Sequence, residues 1–287
     1  MAEFVLPLPE GYRRREPLAF YSRDPAGVSE RVGVDGLHKC AIIAGSPALL
    51  EIRFESDCAA CRTDASDTEA ARHAIARILG LHSDAAEFEC EFRDDPLLGA
   101  LISRQRGLRI PLTPEPWEAL AWAIMGQQVS VKMAVTLRRH LITAAGEPHA
   151  SGLRAHPSPE AVAKLDVADL RALKFSGSKA DYLIGAARAV TGGELPLDRM
   201  HEMPVEEAAN LARTVRGIGP WTVQYFFLRG LGLPDCLPAG DAGLAQGLER
   251  ICGERPTESK IREMMARFAP WRSLATYHVW ASLADQT

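Results

Sequence analysis

Residues 217–220 of this 287-residue chain read Gly-Ile-Gly-Pro, and Asp241 follows the second glycine by 22 residues. In the run LARTVRGIGPWTVQYFFLRG, Gly217-Ile218-Gly219 separates two helical patterns. Pro220 stands where the second helix can begin, because its fixed φ suits a first turn and its missing N–H is not needed there. The pattern predicts two helices meeting in a tight hairpin. Its glycines permit positive backbone angles and leave amide N–H groups bare at the start of the second helix, a setting that suits a phosphate. By itself a G-x-G is most often an ordinary interhelical turn. Downstream, Leu237-Pro238-Ala239-Gly240-Asp241 leads into the helical run AGLAQGLERI. Asp241 is therefore expected at a helix N-cap, accepting backbone N–H bonds. An aspartate in that position is usually only a cap, but one facing an open site can stabilise a developing positive charge and orient an attacking water.

The hairpin, the spacing and the capped aspartate together resemble the helix-hairpin-helix DNA glycosylase superfamily. Three further stretches narrow the resemblance to AlkA-type DNA-3-methyladenine glycosylases II: Gly107-Leu108-Arg109-Ile110-Pro111, Gly126-Gln127-Gln128-Val129-Ser130-Val131, and Pro270-Trp271-Arg272-Ser273 followed by His278-Val279-Trp280. They occur in the family's order. The resemblance implies a base-excision-repair enzyme that flips alkylated bases, of the 3-methyladenine and 7-methylguanine type, out of duplex DNA and hydrolyses the N-glycosidic bond. Asp241 would be the catalytic carboxylate, and Gly217 and Gly219 would hold the DNA backbone.

Trp221 and Tyr225 are four residues apart on the helix leaving the hairpin, so they share a face, and Trp280 comes from the last helix. With the resemblance, the three become candidates for an aromatic base pocket, in which a cationic alkylated purine gains cation–π attraction. Trp117, Trp122 and Trp271 are read as core. Gln127 and Gln128 fall where the family inserts a side chain into the gap left by the flipped nucleotide, with Gln128 the candidate plug. Lys132, Arg138, Arg139, Lys179, Arg216 and Arg272 are candidate phosphate contacts, none of them singled out.

In backbone-cleaving relatives a lysine stands two residues after the second hairpin glycine and forms a Schiff base. Trp221 occupies that position and offers no amine, so the expected product is an intact strand with an abasic site. Relatives with an iron–sulfur cluster carry four closely spaced cysteines after the catalytic aspartate, whereas only Cys252 follows Asp241, so no cluster is expected, and the resemblance implies no metal or other cofactor. The rival readings are a noncatalytic helix-hairpin-helix DNA-binding protein, which the presence of Asp241 argues against, and an oxidised-base glycosylase/lyase, which would need the missing lysine.

The surrounding elements imply an α+β chain. The first 90 or so residues mix strand-like runs (His38–Ala44, Ala48–Phe54) with a helix from about Thr68 to Leu79. From Pro111 onward helices follow one another with visible caps: Ser158-Pro159-Glu160, Asp166 with Asp169, Ser178, Pro204 and Thr257. The expected division is an N-terminal α+β domain at 1–92, which in this family resembles half of a TATA-binding protein, then an all-α glycosylase core of two helical subdomains. Residues 93–113 with 234–287 would carry Asp241, and residues 114–233 the hairpin.

With 47% apolar and 24% charged residues the chain is neither disordered nor membrane-spanning by composition. The net charge of −4 divides into −7 for residues 1–100 and +3 for residues 101–287, which puts any DNA face in the second part. Six cysteines without a secretion signal read as reduced thiols, and Cys58-x-x-Cys61 lacks a second pair at zinc-like spacing. A cytoplasmic monomer acting on double-stranded DNA, away from membranes, is expected.

Overall fold

The computed structural model describes residues 1–83 and 85–284. The last three residues of the expected 234–287 segment lie outside the described residues. Five strands form one antiparallel sheet in the order β1-β5-β4-β3-β2: β1 Ala2–Pro7, β2 Glu30–Val32, β3 Gly36–Ile43, β4 Ser46–Phe54 and β5 Cys58–Thr63. The two strands read from sequence are β3 and β4. They pair from Gly36↔Arg53 to Ile43↔Ser46 around Ala44 and Gly45, whose φ values of 49° and 79° match the twist of a two-residue hairpin turn. β5 carries the Cys-x-x-Cys pair, and its sequence CAACRT shows no strong apolar–polar alternation. Helix α1 (Arg15–Tyr21) lies between β1 and β2, and α2 (Thr68–Ile78) follows β5. Asp67 caps α2 through the Ala70 amide, and Ala71, Ala74, Ile75 and Ile78 bury their side of α2 with Leu37, Leu50 and Ile52 of the sheet.

Helices then fill the chain: α3 (Ala86–Phe92), α4 (Gly99–Arg104), α5 (Pro116–Gly126), α6 (Val131–Ala145), α7 (Pro159–Ala163), α8 (Val167–Ala172), α9 (Gly177–Thr191), α10 (Val205–Thr214), α11 (Pro220–Phe226), α12 (Ala242–Cys252), α13 (Glu258–Met265) and α14 (Arg272–Ala284). The caps read from sequence at Ser158, Asp166, Pro204 and Thr257 stand where expected. The helix expected to open at Ser178 instead opens at Ser176, whose hydroxyl accepts from the Lys179 amide. Ser176 can satisfy an otherwise orphaned first-turn amide, whereas Ser178 is already inside the helix. α5 is buried almost throughout, from Trp117 to Met125, and forms the centre against which α6, α9 and α11 pack. α12 and α14 approach closely at Gly247, where a Cβ would come within 2.3 Å of Val279.

The sheet is locked to the helices by buried ions. Lys39 of β3, fully buried, donates to Glu30 and to Glu118 of α5 at 3.2 Å each and to Ser29 at 2.7 Å. Arg138 of α6 binds Glu30 through both Nη atoms at 2.7 and 2.9 Å and Glu118 at 2.7 Å. Two cations meet two carboxylates, so the cluster is neutral.

Candidate active site

α10 and α11 are joined through Val215–Gly219. Gly217 has φ +91°, and a Cβ there would lie 2.2 Å from the Tyr182 ring of α9, so glycine satisfies both backbone and packing. Gly219 departs from the expected positive angle: its φ is −93° and ψ 178°. A Cβ at Gly219 would meet nothing within 4 Å, so its missing side chain leaves open space over the first amides of α11.

Asp241 is the N-cap of α12, its Oδ1 accepting from the Leu244 amide at 2.8 Å. Two indoles complete its setting. Trp280 Nε1 donates to Oδ1 at 2.9 Å, and Trp221 Nε1 donates to Oδ2 at 3.1 Å. A carboxylate offers about four acceptor positions, so these bonds fix its plane and leave room for one more partner on the open side. Tyr225 stands between the two tryptophans, with ring centroids 5.4 Å from Trp221 and 5.8 Å from Trp280. Tyr225 thus bridges the two indoles, and the three rings form a continuous wall. Sequence reasoning treated the tryptophans as stacking surfaces only. Their second task, holding the carboxylate, depends on α11 and α14 both reaching the start of α12 and has no local signal.

The turn between α5 and α6 is tied from two sides. Gln127 Nε2 donates to the Gly217 carbonyl at 2.7 Å and to Thr222 Oγ1 at 2.9 Å, while the Lys179 ammonium donates to the Gln127 carbonyl and, at 3.3 Å, to that of Ile124. Burial lowers the Lys179 pKa from its ordinary value. Gln127 thus points into the protein as a strut for the hairpin. Gln128 is exposed, with φ +54°, a backbone angle uncommon for a non-glycine residue and a recurrent feature of functional sites.

These residues line one cleft of about 1300 Å³, in which Asp241 is the carboxylate among the described lining residues. The hairpin, the Gln127–Ser130 turn, the three aromatic residues and Asp241 all reach it. Among the lining residues that sequence reasoning missed are one tryptophan and three arginines. Trp122, expected in the core, is half-buried and forms part of the cleft wall, because only one edge of α5 faces the opening. Arg23 reaches in from just after α1, and Arg213 lies near the hairpin. Arg229, only 1% exposed, closes the floor. A lone cation inside the apolar run FFLRGL was the available signal for Arg229, since charges are rarely buried without a task. Arg23 in YSRDP carried none.

The remaining candidates separate. Trp117 is buried and donates to the Pro157 carbonyl at 2.9 Å, as expected of a core residue, whereas Trp271, also expected in the core, is half-buried and packs edge-on against Phe92 at the core's edge. Of the candidate phosphate contacts, Arg138 belongs to the buried ion cluster, Arg139 binds Asp24, Arg272 binds Asp235 with two bonds, and Lys179 caps carbonyls. Lys132 and Arg216 remain exposed. Arg216 leans over the Tyr182 ring at 5.7 Å and lines the cleft. Cys58 and Cys61 sit three apart on a strand and so on opposite faces, and burial pushes the Cys61 thiol up to about 12. No cluster of three metal-ligating side chains occurs among the described residues. No helix among them is long and apolar enough to cross a membrane.

Comparison with known proteins matches residues 121–272, just over half of the chain, to the family described as HhH-GPD superfamily base excision DNA repair protein. A DNA-3-methyladenine glycosylase of Bacillus subtilis is 32% identical over 208 residues, covering 71% of this chain and 69% of that protein. DNA-3-methyladenine glycosylase 2 of Escherichia coli is 35% identical over 185 residues, covering 64% of this chain and 63% of that protein. Among solved structures, a 3-methyladenine DNA-glycosylase from Archaeoglobus fulgidus shares the fold with a TM-score of 0.87 at 22% identity, over 99% of this chain and 100% of its own.

Proposed function

We propose, from the premise that this chain belongs to the HhH-GPD superfamily of base excision DNA repair proteins, that it draws an alkylated base from duplex DNA into the Asp241 cleft and hydrolyses its N-glycosidic bond. The observation that carries this reading is the Asp241 carboxylate, held by the Leu244 amide and two indoles and facing the same cleft as the hairpin. The hairpin backbone around Gly217 and Gly219 grips a phosphate, Gln128 fills the gap in the duplex, and Gln127 holds that turn to the hairpin. The base lies against the wall of Trp221, Tyr225 and Trp280. As the bond to C1′ breaks, positive charge grows on the sugar. The fixed anion of Asp241 stabilises it and orients the incoming water, a preorganised electrostatic arrangement that needs no rearrangement at the moment of reaction. Lesions of the 3-methyladenine and 7-methylguanine type fit such a pocket, because an alkylated cationic purine is attracted to aromatic faces and departs as a neutral base.

The product is an abasic site in an intact strand. Trp221 stands where a Schiff-base lysine would be, and no lysine is among the described residues lining the cleft. The helical part divides into residues 114–233, which bring the hairpin, Trp221 and Gln128, and residues 93–113 with 234–287, which bring Asp241 and Trp280. The cleft between these two sets supports the division. The sheet with α1 and α2, residues 1–92, is read as a unit like half of a TATA-binding protein. The enzyme works as a cytoplasmic monomer without a cofactor.

The test is single-turnover release of 7-methylguanine and 3-methyladenine from defined duplexes, with Asp241→Asn as the comparison. Asparagine keeps the cap, so folding and duplex binding should persist while base release falls by roughly 100- to 1000-fold. Wild-type strands should stay whole until treated with alkali. Near wild-type release by a folded, DNA-bound Asp241→Asn protein would remove Asp241 from the chemistry.

A further inference from the structure

Four arginines line the cleft that holds Asp241, and none pairs with a carboxylate among the described residues; Arg213 and Arg216 are exposed at the hairpin, whereas Arg23 and Arg229 stand against the aromatic rings. Arg23 is open to the cleft, 4.7 Å from the Phe20 ring centre, 5.9 Å from that of Trp122 and beside the Tyr225 hydroxyl. The adjacent Asp24 does not neutralise it. Asp24 Oδ1 accepts from Arg139 Nε at 2.9 Å, from Arg139 Nη2 at 2.5 Å and from the Ala26 amide at 3.0 Å. Behind Arg23, Arg229 lies among the rings of Phe20, Tyr277 and Trp280 at 4.3, 4.6 and 5.7 Å. It gives Nη1 to the Pro111 carbonyl at 2.6 Å, and its Nε has no acceptor. The anion of the cleft, Asp241, is engaged by the indoles instead.

The two kinds of wall favour different occupants. The rings attract a cationic purine, whereas the guanidiniums repel it and offer it little, because a cationic base departs neutral. An uncharged purine bearing a carbonyl departs with an extra electron pair, which spreads from the ring nitrogen onto that oxygen. An N–H donor facing the oxygen is worth more as the charge arrives than before, which is what lowers a barrier. Arg23 has the donors, a planar fork and access to the cleft. Arg229 behind it adds to the positive potential that the leaving anion meets.

Resting on the proposed glycosylase reading, we propose that Arg23 is a catalytic residue for one class of lesion: it donates to the carbonyl of a flipped, uncharged oxo-purine and stabilises that base as it leaves. In the reaction the C1′–N bond breaks and its electron pair departs with the base, drawn toward the Arg23 N–H groups. Water adds to C1′ beside Asp241 and releases a proton, and the departed base anion takes up a proton from solvent. Arg23 stays protonated throughout.

The experiment compares two duplexes that differ only in the lesion, hypoxanthine or 7-methylguanine, under single-turnover conditions, for wild type, Arg23→Met, Arg23→Lys and Asp241→Asn. Arg23→Met should cut hypoxanthine release by about 100-fold, as expected for loss of one well-placed donor, and should cut 7-methylguanine release far less. Arg23→Lys keeps the charge without the fork and should fall between. Thermal midpoints and binding to undamaged duplex should match wild type. Equal losses for both lesions would make Arg23 a general positioning residue, and no loss for hypoxanthine would remove it from the reaction; either overturns the proposal. A wild-type enzyme that releases 7-methylguanine but not hypoxanthine overturns the proposal and leaves the glycosylase reading standing. Release of neither base by wild type overturns both.

Discussion

Two groups of charge in this molecule, one buried between sheet and helices and one lining the cleft, are treated in opposite ways. In the cluster of Lys39, Glu30, Glu118 and Arg138, every charge meets an opposite charge directly, and the site joins the sheet to α5 and α6. Burial alone would push the Glu118 carboxyl up; Lys39 and Arg138 outweigh it and hold Glu118 well below the ordinary carboxylate range. In the cleft, Arg23, Arg229 and Asp241 have no ionic partner among the described residues and are held by aromatic rings, indole N–H groups and a carbonyl. Charges paired with each other are spent on joining parts of the fold. Charges held by neutral groups keep their field for a ligand, and that difference separates scaffold from site more clearly than burial does.

The ion cluster should be the more sensitive of the two groups to truncation. Arg138→Met should leave Glu30 and Glu118 buried without half of their compensation and cost about 3–5 kcal/mol of stability, while the rate per folded molecule stays near wild type. Urea unfolding read beside single-turnover base release checks this. A loss of rate at unchanged stability would erase the distinction between the two regions.

A smaller effect should appear in the cleft with the opposite signature. Trp280→Phe and Trp221→Phe each keep a ring but remove one indole N–H from Asp241. A hydrogen bond to a charged group contributes about 1.5–3 kcal/mol, or roughly 10- to 150-fold in rate if it acts on the reacting anion. Each variant should therefore slow base release with little change in thermal midpoint. Lowered midpoints at unchanged rate would show that the indoles merely complete the core.

The smallest effect distinguishes neutral buried histidines from both groups. Burial lowers His156 to about 4 and His278 to about 3, each from an ordinary value of 6.5. The unfolded chain then binds more protons below pH 6.5, so the stability these residues contribute is complete above that pH and is lost as pH falls from 6.5 toward 4. Urea midpoints should decline between pH 7 and pH 5. His278→Asn should flatten the decline, since an amide can still meet Gln105, which His278 Nδ1 reaches at 2.8 Å, without titrating.

Local relationships were legible in the sequence. The hairpin with its left-handed Gly217, the capped Asp241 and most helix starts depend on residues within a few positions of one another, where propensity and capping chemistry act directly. The strands β3 and β4 were legible for the same reason, whereas β1, β2 and β5 owe their form to neighbours in the sheet. The tertiary structure alone decided which partners these elements meet. It turned Gln127 inward and Gln128 outward, buried Arg138 and exposed Arg216, and set Trp122 on the wall of the cleft. It placed Trp280 on Asp241 and carried Arg23 from the sheet unit into the same cleft. Periodicity shows which face of a helix is apolar but not what packs against it, and contacts between distant segments are fixed by how whole elements cross.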